Sequence, residues 1–106
     1  MNTKDFVKLY YEEKEKSLKQ YFDDSYKTEV GKRINTLIEN GSSKEEIYEL
    51  INLVMKETYY TILLALEGEA SLGGKQLSCE LLNQDGNVIN KCGEIEVEAY
   101  KYFMEE

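Results

Sequence analysis

Two groups of carboxylates stand out in a chain of 106 residues that contains no histidine: Glu67 with Glu69, and Glu94 with Glu96 and Glu98. Paired carboxylates can divide acid and base work between them, as in glycoside hydrolysis, when their surroundings push their ionisation apart. That chemistry calls for a large sugar-binding cleft with tryptophan platforms, and the chain has no tryptophan. The lack of histidine also removes the commonest general base near neutral pH, together with every Ser–His or Cys–His nucleophile. Solvated surface glutamates account for both runs.

Other motifs fail on their spacing. Gly73-Gly74-Lys75 has the look of the end of a phosphate loop, but Glu69 stands where the first glycine is required and Gln76 where Ser or Thr must follow the lysine. Asp85-Gly86-Asn87 superficially resembles a calcium loop. With Gly86 at its sixth position, the first ligand would be Leu81 and the bidentate one Cys92. The only cysteines, Cys79 and Cys92, match no zinc or redox spacing and are too sparse for a secreted disulfide framework, so they read as reduced thiols. No cofactor and no metal are expected. Tyr10, Tyr21, Tyr26 and Tyr59 fall at helical core spacings and read as core edges with wet hydroxyls.

Charge is the most informative property. The formal net charge is −8, yet residues 1–40 carry eight basic and eight acidic side chains, whereas residues 41–106 carry five Lys and thirteen Asp/Glu. A carboxylate-rich half repels nucleic acid and anionic lipid and attracts a basic protein. Without an apolar run long enough to span a bilayer, and with Met1-Asn2-Thr3-Lys4-Asp5 at the start, a cytoplasmic location is expected.

These residues must be positioned by a single α+β domain over 1–106: three N-terminal helices, the third long and central, then an antiparallel hairpin and a short closing helix. The segment from about Thr3 to Phe22 gathers Phe6, Val7, Tyr10, Tyr11, Leu18, Tyr21 and Phe22 on one arc, with Lys14 intruding, so this helix should pack through its two ends. Asp23-Asp24-Ser25 reads as a break and the N-cap of a second helix, ended by Asn40-Gly41, with Tyr26, Val30, Ile34, Leu37 and Ile38 on its stripe. Ser43 and Glu46 have the form of a capping box. The helix they start has the stripe Ile47, Leu50, Ile51, Val54 and Met55, and is apolar all round from Tyr59 to Leu66; that last stretch fits a helix or a buried strand. Strands are expected over Gln76–Leu82 and Val88–Lys91, joined by an Asp-Gly turn. Glu94 to Ala99 fits either an edge strand or the start of a closing helix, and the helix is preferred because Ile95, Ala99, Tyr102 and Phe103 share a stripe.

The run Tyr59–Gly74, the turn Asn83-Gln84-Asp85-Gly86-Asn87 and the segment Gly93-Glu94-Ile95-Glu96 together resemble small bacterial proteins of the kind found as immunity partners of secreted toxins. The resemblance covers the last half of the chain, offers no catalytic residue, and implies binding rather than catalysis. The expected function is therefore a non-enzymatic domain whose acidic half neutralises a basic partner such as a toxin nuclease, through Glu67, Glu69, Asp85, Glu94, Glu96 and Glu98. The alternative is a structural or regulatory subunit that forms a homodimer or larger homo-oligomer through its helices, its acidity serving solubility.

Overall fold

The computed structural model describes residues 1–68, 70–76, 79–91 and 93–105; Glu69, Cys92 and residues 77–78 of the expected strand Gln76–Leu82 lie outside them. The protein is mostly helical: α1 (Thr3–Tyr21), α2 (Glu29–Glu39), α3 (Lys44–Glu67), a two-strand hairpin of β1 (Ser71–Leu72) and β2 (Lys75–Gln76), and α4 (Glu94–Phe103). No helix of the described residues is long and apolar enough to cross a membrane.

Local signals set most helix ends. Asn2 caps α1 by accepting from the Asp5 amide at 2.8 Å, and Ser43 caps α3 by accepting from the Glu46 amide at 3.3 Å. The start of α2 differs from expectation. Asp23 turns its carboxylate back onto the amide and hydroxyl of Ser25, at 2.9 and 2.7 Å, so it cannot serve a helix, and Thr28 caps α2 instead through the Gly31 amide. Tyr26 is left in the connecting loop, half exposed rather than at a core edge.

Helix α3 runs unbroken to Gly68, whose left-handed backbone (φ 90°) ends it, so Tyr59–Leu66 is helix and not strand. Its second half is not enclosed on every side. Leu63 and Ala65 are buried, but Thr61 and Ile62 are exposed, because α1 and α4 cover one broad face only. The main core is Val7 of α1, Leu63 of α3, and Ile95, Ala99 and Phe103 of α4, rimmed by Phe6, Tyr10, Tyr11, Tyr59, Tyr60, Leu66 and Tyr102. Tyr11 meets Phe103 edge-on, with ring centroids 5.7 Å apart.

The middle of α1 also packs, against expectation, and through a charge. Lys14 is among the most buried side chains; its ammonium bonds to Asn52 Oδ1 of α3 at 2.8 Å and to Glu15, and lies 5.1 Å from the centre of the Tyr11 ring. The aliphatic stem fills the α1–α3 interface, and the head finds acceptors there. Beyond it, Phe22 packs on Tyr48 at 5.1 Å, and Gly31 lets α2 approach the Tyr21 carbonyl, where a Cβ would stand only 3.1 Å away.

The β structure differs from expectation: a hairpin forms just before the expected one, which is itself reduced to a single bridge. Ser71 pairs with Gln76 and Leu72 with Lys75 around Gly73-Gly74, whose positive φ angles of 58° and 80° suit a two-residue hairpin turn. Between 79 and 91 only one bridge forms, Leu82 with Val88. The Asp-Gly turn is present, but the ladder stops because the Leu81 amide bonds to the Asn90 side chain in place of a strand neighbour.

Candidate functional site

One end of the molecule collects most of the carboxylates singled out above. Three chain segments converge on the start of α4. The 81–90 loop is held by Asn90, which accepts from the Leu81 amide at 2.8 Å and donates to the carbonyls of Leu66 (2.8 Å) and Cys79 (2.9 Å). Buried with all three bonds made, this amide fastens the loop to the end of α3. The loop tip is an Asx turn: Asn83 Oδ1 accepts from the amides of Asp85 and Asn87, and its Nδ2 donates to the Met1 carbonyl at 2.6 Å. Thr3 Oγ1 lies 2.8 Å from the Ile89 carbonyl and 3.0 Å from Glu94 Oε2, so one hydroxyl proton serves the loop and α4.

Glu67 holds the site together. The residue before α4, Gly93, has no side chain with which to cap the helix. The Glu67 carboxylate, reaching from the last turn of α3, takes that place and accepts from the amides of Gly93 (2.9 Å), Ile95 and Glu96 (3.0 Å). A negative group at a helix N-terminus satisfies orphan donors and meets the positive end of the helix dipole.

The expected binding residues therefore divide. Asp85 is exposed at the loop tip, Glu96 is exposed on α4, and Glu94 is exposed while touching Thr3. Glu67 is half-buried with its charge committed to α4. Glu98 keeps only 17% of its side-chain surface; one oxygen lies 3.4 Å from Lys101, and Oε2 has no partner among the described residues. The glutamates of α4 do not form one stripe: at 100° per residue Glu94 and Glu96 flank exposed Val97 and Tyr100, and Glu98 turns toward the core. Tyr60 borders the same end, its phenol pushed above the ordinary 10.0 by burial first and then by the charge of Glu96. Sequence reasoning missed Asn90 and Thr3, whose roles rest on partners far along the chain; the Asx turn at Asn83 was detectable from its Asn-x-x-Gly spacing.

Two concavities away from this end are mostly apolar. An open, mostly apolar cleft of about 650 Å³ between α1 and α3 is lined by Met1, Phe6, Leu9, Tyr10, Tyr59 and Ile62, with Glu13 at its edge. A groove of about 380 Å³ between α2 and α3 is lined by Val30, Arg33, Ile34, Leu37, Leu50 and Ile51, among others. Among the described residues no three of His, Cys, Asp and Glu are grouped so as to hold a metal ion.

In class, this is a small helix-dominated α+β domain with a carboxylate-bearing end. No protein-family model, no curated protein and no solved structure matches the chain.

Proposed function

We propose that this protein is a non-enzymatic binding domain whose acidic end receives a basic protein. The supporting observation is that Asp85, Glu94 and Glu96 stand exposed around a scaffold locked by Asn90, Asn83 and Glu67. Fixed carboxylates imitate the charge of phosphates and steer a cationic partner into a fast encounter without reorganising on contact. A partner with a phosphate-binding groove, such as a toxin nuclease, fits that chemistry, and the protein would then act as its immunity inhibitor in the cytoplasm.

The test compares two charge-neutralised pairs in affinity capture from the native host, followed by association kinetics with the captured protein. Asp85→Asn with Glu96→Gln removes free carboxylates from the acidic end; Glu12→Gln with Glu39→Gln removes two exposed carboxylates elsewhere. The first pair should slow association several-fold at low ionic strength and flatten its salt dependence, since exposed charges act through a field screened beyond about 8–10 Å. The second pair should bind like the wild type. Equal responses to both pairs, or to neither, would reduce the acidity to a solubility device.

A further inference from the structure

The end of the molecule opposite the carboxylates carries an incomplete core. On the helical hairpin of α2 and the first half of α3, Val30, Leu37, Leu50, Leu53 and Val54 keep 39%, 47%, 63%, 53% and 54% of their surface open. The sequence presents Ile47, Leu50, Ile51 and Val54 as one core-facing stripe, but α3 meets α1 through Tyr48, Asn52 and Tyr59 on its other side. Ile47, Leu50 and Ile51 instead form one wall of the α2–α3 groove, with Val30, Ile34 and Leu37 as the other. The molecule is correspondingly long, 49 × 28 × 26 Å, with a radius of gyration of 16.4 Å. A compact chain of this length has about 13 Å.

We propose that this face is an interface between two copies of the chain, which pack their α2–α3 hairpins together as a four-helix bundle. A helical hairpin with one bare apolar face is half of such a bundle, and a second copy supplies the other half with the same surface. Two quantities favour that occupant. The first is area: the five residues expose roughly 450–500 Å² of largely apolar surface, and at the about 65% apolar content of homodimer interfaces this corresponds to roughly 700–800 Å² per copy, the standard size.

The second is charge. At a net charge of −8 two copies repel, most strongly through their acidic ends. Helix α2 is neutral, with Glu29 and Glu39 offset by Lys32 and Arg33, and the first half of α3 sets Lys44 against Glu45, Glu46 and Glu49, so the hairpin carries −2 of the total −8. Arg33, the only arginine of the chain, borders the groove, and arginine is a residue type that interfaces favour. A basic partner would be drawn to the other end, leaving this apolar and only mildly acidic face to a surface like itself. The inference is independent of the function proposed for the carboxylates.

Sedimentation equilibrium over roughly 1–100 µM tests it, because an interface of this size and moderate quality gives dissociation constants in the micromolar range. The wild type should pass from one to two chains per particle. Leu50→Glu and Leu37→Glu, at open positions where the fold loses little, should each weaken association at least tenfold while circular dichroism stays unchanged. Leu82→Glu, a control at an equally open apolar position beside the acidic end, should associate like the wild type. A wild type that remains a monomer at 100 µM would overturn the proposal, as would a dimer that Leu50→Glu leaves intact or that Leu82→Glu disrupts equally.

Discussion

Replacing Glu67 by Ala should destabilise the protein through a helix to which Glu67 does not belong. Its carboxylate accepts from three amides at the start of α4, and Gly93 offers no side chain in exchange. Loss of an N-cap costs about 1 kcal/mol, and a donor left without a partner away from water costs about 1–3 kcal/mol. The amide of Ile95, a residue buried in the core, pays that cost, whereas the amide of exposed Glu96 can turn to water. The total is roughly 2–4 kcal/mol, which at 4–8 °C per kcal/mol lowers the melting temperature by about 8–32 °C. Glu67→Gln keeps one acceptor but turns an NH₂ toward the donors, and should cost about 1–2 kcal/mol. Urea denaturation followed by circular dichroism measures both, and native-state hydrogen exchange should show the loss of protection concentrated at Gly93, Ile95 and Glu96. If Glu67→Ala costs under about 0.5 kcal/mol, or if exchange at Ile95 is unaltered, the cap does not hold α4 and the reasoning fails.

For the buried ammonium, Lys14→Met should be neutral or stabilising within about 1 kcal/mol, because desolvation offsets the pairing. Asn52→Leu, which removes an acceptor and leaves the charge, should cost about 1–3 kcal/mol by chemical denaturation; the reverse order would refute this account. Leu63→Ala, at a fully buried site, should cost about 3–5 kcal/mol and Leu64→Ala, half-buried on the same helix, about half as much, so equal losses would contradict the one-sided burial of α3. In alkaline titration followed by tyrosinate absorbance, Tyr11, Tyr59 and Tyr60 should ionise above the ordinary 10.0, since burial raises each. The folded state then holds phenolic protons that the unfolded chain gives up, so their stabilisation is complete below about pH 10 and fades as the pH rises through the raised values; a single titration identical in urea would contradict it.

The features legible in the sequence were those carried by neighbours. Asn40-Gly41, Ser43 and the stripe Ile95, Ala99, Phe103 placed the end of α2, the start of α3 and the character of α4 from residues a turn apart. The start of α2 was misread: the expected cap at Asp23-Asp24-Ser25 is lost to the Ser25 turn, and Thr28 caps the helix. Lys14 looked like an interruption because its acceptor lies 38 residues away. The expected hairpin was only partly legible, because apolar runs with an Asp-Gly turn foretell the Leu82–Val88 bridge but not that Asn90 intercepts the ladder beyond it. The acidity of the C-terminal half could be counted from composition. Its division into free and structural carboxylates could not, since Glu67 finds its amides 26–29 residues along the chain.

The core has a consequence for how the chain acquires its fold during synthesis. Three of the five side chains in its main cluster belong to α4, and they close over Val7 and Leu63, which are made far earlier. A growing chain that already contains α1, α2 and α3 therefore exposes an apolar trough with nothing to fill it, a form open to proteases and to association with other nascent chains. Closing the trough requires contacts such as Thr3 with Glu94, 91 residues apart, so the slow event in folding should be the docking of α4 rather than the winding of any helix. A ribosome stalled before Glu94 would hold a chain with its helices formed and its core still open.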